Sequence, residues 1–166
     1  MASDSRQSLA LFPASFDPIT NGHLDLLHRS LHVFDEVVVA VARNVGKSGT
    51  FDLEERIEML ETVVATVPGV RIATFEGLMV DYAKQIGARA VIRGLRAMSD
   101  FEYEFEMALM NKHLDPNIEI LFMMSSQEYL YVSSSRLKEL VRFGQSVEEF
   151  VPAIVAKRLR EKLAGT

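Results

Sequence analysis

The chain lacks cysteine entirely across its 166 residues. That removes disulfides, thiolate metal sites and cysteine nucleophiles together, and a cytoplasmic location is expected. Long apolar runs are missing as well, so no stretch can span a bilayer and no membrane association is expected. Residues 1–8 are small and polar, without the apolar segment of a secretory signal, and are expected to form a disordered N-terminal extension. Positive charge is in deficit: 18 Lys and Arg against 23 Asp and Glu give a formal net charge of -5. A nucleic-acid partner is therefore not expected, because it calls for a basic field. A small anionic substrate needs only a few cations in one cleft.

Several standard motifs are absent too. Gly46-Lys47-Ser48 looks like the end of a P-loop, but the first glycine of that motif should stand at 41, which is Val41. No G-x-G-x-x-G follows a strand. No G-x-S-x-G elbow accompanies Ser15, and no H-E-x-x-H supports a zinc site. Internal repeats and linkers are also lacking, so residues 9–166 read as one domain.

What is present is alternation. Residues 8–12, 36–42, 70–75, 90–92 and 119–124 read as strands, and 36–42 is apolar nearly throughout, as a strand covered on both faces should be. Between them Leu24, Leu27, Leu31 and Phe34 recur at helical spacing, as do Ile57, Leu60, Val64 and Val67. Asp52 with Glu55, Ser99 with Glu102 and Ser146 with Glu149 have the spacing of capping boxes. They predict helices from 52 onward, over 100–113 and over 147–163, and residues 77–86 and 134–143 read as two more. The fold class is α/β: a Rossmann-like, doubly wound, parallel five-stranded sheet with helices on both faces. Ligands of such sheets bind beyond the carboxyl ends of the strands.

Four groups carry the chemistry. The run from Ser15 to Asn21-Gly22-His23 follows the first strand and opens a helix, where free amides and the helix dipole favour an anion. His23 adds a donor that can be charged near neutral pH. Lys47 follows the second strand. Arg93-Gly94-Leu95-Arg96 follows the fourth, and Tyr129 to Ser135 ends in three serines at a helix start. Each has a plain structural reading: a capping histidine, a solvated lysine, surface ion pairs, an N-cap serine. Glu102, Glu104 and Glu106 read as a solvated face, and Met107, Met110, Met123 and Met124 as core. His28, His32 and His113 are given no role. Because the signals recur at corresponding strand ends, they imply together a polyphosphate site, and phosphoryl or nucleotidyl transfer governed by positioning and charge.

The chain also resembles a known group. Thr20-Asn21-Gly22-His23 matches the TxGH signature of the nucleotidylyltransferase superfamily, and Ser133-Ser134-Ser135 stands at its serine-rich signature. The blocks FDPITNGH, FDLEER, IRGLRAMSDFEYE and MNKHL are similar to those of the bacterial phosphopantetheine adenylyltransferases, from about residue 9 to 163. The resemblance implies transfer of the adenylyl group of ATP to 4′-phosphopantetheine by direct attack at the α-phosphate, giving dephospho-coenzyme A and pyrophosphate, the penultimate step of coenzyme A biosynthesis. It implies His23 and Lys47 as catalytic groups, with His23 stabilising the transition state. Ser15, Phe16, His23, Gly94, Leu95, Arg96, Glu104, Tyr129, Leu130, Tyr131, Val132, Ser133, Ser134 and Ser135 take the positions of ATP contacts. Ser15, Lys47, Met79, Arg93 and Asn111 take those of acceptor contacts. Magnesium (Mg2+), a homohexamer and inhibition by coenzyme A come with the same resemblance, which leaves the direct metal ligands unknown. The alternatives are another small-molecule nucleotidyltransferase of the superfamily, or a nucleotide-binding regulatory module without catalysis.

Three positions depart from the pattern. Ala14 replaces a usual glycine, so a positive φ there would be strained. Tyr129 stands where tryptophan is common. Lys138 stands where other branches have arginine, so a phosphate contact from it would be a point charge.

Overall fold

A computed structural model describes residues 8–43, 49–96 and 98–163. The sheet is organised around strand β2 (Glu36–Ala42), where Val37, Val38, Val39, Ala40 and Val41 are all buried. Successive side chains of a strand point to opposite faces, so burial of all five requires cover on both sides. Beside it run β1 (Leu9–Ala14), β3 (Val70–Phe75), β4 (Ala90–Leu95) and β5 (Glu119–Met124). Every neighbouring pair is parallel, and the order is β3-β2-β1-β4-β5. The helices are α1 (Asn21–Ser30), α2 (Leu53–Val64), α3 (Met79–Gln85), α4 (Met98–Leu114), α5 (Ser134–Arg142) and α6 (Ala153–Leu163). This is the doubly wound α/β sheet that the alternation predicts. Its strand order reverses between β1 and β4, and the crevice at their carboxyl ends is where such sheets bind ligands.

The period-2 alternation divides the core. Phe12, Val37, Val39, Val41 and Ile92 pack with Leu27 of α1, Leu60 of α2, Leu137 of α5 and Leu159 of α6. Leu11, Val38, Ala40 and Val91 pack on the other side with Val80 and Ala83 of α3. Among the described residues, α4 contributes no side chain to either cluster. Among the described residues no helix is long and apolar enough to cross a membrane.

The structure corrects several expectations. Strand β4 extends to Leu95, so Arg93 and Gly94 lie within it, opposite Phe122 and Met123 of β5. The helix expected from 147 begins at Ala153. Ser146 Oγ accepts the Glu148 amide in a turn, and Pro152 disfavours helical backbone in the residue before it. The side chain of Ser99 lies outside the described residues. Met123 packs on the core, but Met107, Met110 and Met124 are exposed, because no described residue covers them. Residues 1–7 also lie outside the described residues. Ser8 is tied to Asp35 through its amide and hydroxyl, both on Asp35 Oδ2, at 2.7 and 2.8 Å.

Candidate active site

The TNGH sequence has a local structural reason for each residue. Thr20 is the N-cap of α1: its Oγ1 accepts the His23 amide at 3.3 Å, while His23 Nδ1 accepts the Thr20 amide at 3.1 Å. This is a capping box in which an imidazole takes the place of the usual Glu or Gln. Asn21 ties the helix start to the chain before α6 through the carbonyls of Glu149 and Phe150. A Cβ at Gly22 would lie 3.2 Å from Tyr129 Cβ, so glycine is what lets α1 approach the Tyr129 turn. Similarly, a Cβ at Gly94 would lie 2.4 Å from Leu26 Cδ1, so glycine in β4 admits α1 against the sheet.

The capping box also fixes the tautomer. With Nδ1 as acceptor, a neutral His23 carries its proton on Nε2, its one free donor. Phe12 and Phe16 flank the ring, with centroids at 6.4 and 5.1 Å. The ring is half-buried, with one edge on the cleft. Burial, reinforced by the Arg96 guanidinium, pushes its pKa down to about 4. His23 is therefore a neutral donor at pH 7, not the imidazolium its ordinary pKa allows. In the unfolded chain it protonates near 6.5, so its contribution to stability is intact above that pH and is lost as pH falls toward 4. The expected observation is an imidazole 15N spectrum that keeps protonated Nε2 and bare Nδ1 down to about pH 5. A His23 that titrates near 6.5 contradicts this.

Two cavities meet at the switch point. One, of about 270 Å³, is lined by Ser15, His23, Arg93, Gly94, Arg96, Glu104, Tyr129, Val132 and Ser133 to Ser135, together with Pro13, Gly22, Leu26 and Ser125. The other, of about 340 Å³, is more apolar and is lined by Leu78, Met79, Tyr103, Met107, Ala108, Asn111 and Ile120. Ser15, Arg93 and Glu104 line both. His23 and Arg93 thus share one pocket, as the polyphosphate reading requires. Lys47 lies outside the described residues. Phe16 and Leu95 are buried and line neither cavity, and Leu130 and Tyr131 are exposed beside the first. Met79 and Asn111, named from the family resemblance, line the second cavity, whereas its other apolar walls and Pro13 were not legible in the sequence, because no motif marks a carbonyl or an exposed methionine as part of a site.

Glu104 is not on a solvated face. Its carboxylate takes Arg93 Nε at 2.7 Å and Nη2 at 2.6 Å, and Arg93 Nη1 donates to the Pro13 carbonyl at 3.0 Å. Three of the five guanidinium N–H bonds are thereby committed, leaving one on each terminal nitrogen to face an anion. Arg96 is held by Asp100 and by the Val132 carbonyl. Ser133 caps α5 by accepting the Arg136 amide, and Ser134 Oγ donates to the Pro18 carbonyl. The strain expected at Ala14 does not arise. Among the described residues the only non-glycine with positive φ is Phe16, at 45°.

Such a cleft, at the reversal of a parallel sheet and bordered by two helix starts, defines a nucleotidyltransferase-type site. Residues 11–140 match the Cytidylyltransferase-like family. A crystal structure from Vibrio parahaemolyticus, called "a Putative Nicotinate-nucleotide Adenylyltransferase", superposes with a TM-score of 0.69 over 92% of this chain and 98% of that one; at 16% identity it speaks for the fold alone. The phosphopantetheine adenylyltransferase of Caldanaerobacter subterraneus is 51% identical over 93% of this chain and 96% of its own. That of Desulforudis audaxviator is 53% identical over 93% and 94%. The chain belongs to the phosphopantetheine adenylyltransferase family within the Cytidylyltransferase-like group.

Proposed function

We propose that this chain transfers the adenylyl group of ATP to 4′-phosphopantetheine, releasing pyrophosphate and giving dephospho-coenzyme A. The observation that carries the reading is the pair of cavities meeting at Ser15 and Arg93: a polar one suited to a nucleotide, and an apolar one suited to an extended acceptor. An acceptor phosphate oxygen forms the new bond to the α-phosphorus, while the α–β anhydride oxygen leaves with pyrophosphate. Arg93 offers its two uncommitted N–H bonds to the acceptor phosphate. The Nε2–H of His23 stabilises the charge that develops on the α-phosphoryl oxygens. The serines at the start of α5 receive the nucleotide phosphates. Met79, Met107 and Asn111 line the acceptor arm.

Among the described residues no cluster of three His, Asp or Glu side chains is placed to hold a metal ion. Magnesium fits here as part of the substrate, carried by the phosphates of ATP, where it would neutralise charge. Incubation of the protein with ATP, magnesium and 4′-phosphopantetheine should yield dephospho-coenzyme A by mass, with stoichiometric pyrophosphate. Turnover of nicotinate mononucleotide in its place, or ATP binding without turnover of any acceptor, overturns the reading.

The homohexamer is proposed on α4, whose Tyr103, Phe105, Leu109, Met110 and Leu114 are all exposed, Leu109 by 57%. With about 3.6 residues per turn they fall on two sides of the helix, Tyr103, Met110 and Leu114 on one and Phe105 and Leu109 on the other, and exposed apolar surface of this extent marks a subunit contact. Leu109→Glu is expected to give a smaller species by light scattering. An unchanged mass moves the contact elsewhere. Coenzyme A, which carries the same pantetheine arm, is proposed to inhibit by filling the apolar cavity, and the enzyme to act in the cytoplasm.

A further inference from the structure

Lys138 and Asp17 are separated by 121 positions, yet Lys138 Nζ lies 2.8 Å from Asp17 Oδ2. Their side chains are only 15% and 12% exposed, and neither lines the two cavities. Asp17 Oδ1 also accepts the Phe51 amide at 2.8 Å, and Oδ2 the Thr50 amide at 3.0 Å. One carboxylate therefore joins three places: the turn after β1, the chain entering α2, and the face of α5. The same turn is held on either side, by Arg56 Nη1 on the Ser15 carbonyl at 3.1 Å and by Ser134 Oγ on the Pro18 carbonyl at 2.8 Å. Between these ties sits Phe16, in a left-handed conformation that L side chains avoid, with its ring against His23. A turn in that conformation persists only where its surroundings over-determine it.

Resting on the activity proposed above, we infer that Lys138 is a positioning residue acting through Asp17 to fix the Ser15–Phe16 turn under His23, and is not a ligand of the nucleotide phosphates. An ammonium committed at 2.8 Å to a nearly buried carboxylate does not reach into the cleft. Its removal leaves that carboxylate without its cation. Burial raises the Asp17 pKa, but the Lys138 hydrogen bond, the Phe51 and Thr50 amides and the charge of Lys138 outweigh it, so the carboxyl sits below its usual range. Among the described residues Lys138 is the one charged group acting on it. Arg56 of α2 faces the Ser15 carbonyl, Asp52 and Glu55 are engaged in their capping box, and His23 of α1 is neutral.

The test compares Lys138→Met, Asp17→Asn and the double variant with wild type, by pyrophosphate release across pH. Lys138→Met is expected to lower kcat about tenfold or more while the KM for ATP stays within about twofold. The acid limb of kcat should move to higher pH, since Asp17 loses its cation. The double variant, with no carboxylate left to protonate, should lose that shift and recover part of kcat. A KM for ATP raised about tenfold at unchanged kcat, or a double variant no different from Lys138→Met, overturns the inference. Should Lys138→Met not fold, the double variant decides by the same two criteria for ATP. Wild type run alongside separates the two claims. If it forms no dephospho-coenzyme A the activity reading fails, and ATP affinity by calorimetry then tests the tie: preserved in Lys138→Met it stands, lost it falls.

Discussion

His23→Ala should lower kcat by about 10²- to 10³-fold, equivalent to roughly 3–4 kcal/mol of barrier, while ATP affinity changes far less. The asymmetry follows from where the charge is. In the ground state the α-phosphoryl oxygens of ATP share their charge with neighbouring phosphates and solvent. As the acceptor oxygen approaches, that centre becomes crowded and more negative, and a donor already fixed in place gains most at that moment. The capping box holds the ring to Thr20, and Phe12 and Phe16 wall it in, so no reorientation is needed during the reaction. The ring is neutral, so it acts as a hydrogen-bond donor, not as a full charge. kcat at saturating substrates should therefore show no acid limb near 6.5 from this residue. Ala also removes half of the capping box, at a cost of about 1 kcal/mol of stability, so a melting curve belongs beside the kinetics. Steady-state rates and calorimetric ATP binding check the split. Equal loss of affinity and rate would mean that His23 binds nucleotide and does no more.

Much of this arrangement was legible in the sequence wherever one local rule decided it. The bounds of β2, β3 and β5 agree with their apolar runs, and in β2 this follows because a strand covered on both faces has little freedom in composition. The Asp52–Glu55 capping box formed as read. Other features depend on contacts that no local rule contains. The apolar run of β4 ends at Ile92, so Arg93 reads as lying beyond it, and it is Glu104, eleven residues on, together with the Pro13 carbonyl that satisfies its guanidinium inside the strand. Ser146 and Glu149 have capping spacing, but Pro152 stands inside the expected helix and overrides it. Met107 and Met110 of α4 have the apolar character of a core and lie on a surface. Sequence periodicity reports a face that wants cover; it does not say whether the cover comes from the same chain. The charge state of His23 and the role of Lys138 follow from burial and from a partner 121 positions away.

The second large effect belongs to Arg93. Arg93→Lys keeps a positive charge at the meeting point of the two cavities, yet it should reduce kcat/KM for the acceptor about 30- to 150-fold, roughly 2–3 kcal/mol. Lysine cannot make the fork. The two bonds to Glu104 at 2.7 and 2.6 Å and the bond to the Pro13 carbonyl together set the plane of the guanidinium, and so aim its two remaining N–H bonds. An ammonium at this place pairs with Glu104 as a point charge and has no second planar edge to present to a phosphate. The loss stays below the roughly 3–5 kcal/mol of a broken buried pair, because lysine still pairs with Glu104 and Arg93 keeps 29% of its side chain open to solvent. Glu104→Gln should do less harm than Arg93→Lys. Its amide oxygen still accepts one guanidinium bond, while the N–H bonds aimed at the acceptor keep their charge. The effect should also be selective: the KM for the acceptor rises, whereas the KM for ATP moves little, because the Ser133–Ser135 start of α5 and Arg96 are untouched. Equal increases in both constants would place Arg93 on the nucleotide side of the cleft, and the assignment of the apolar cavity to the acceptor would fall with it.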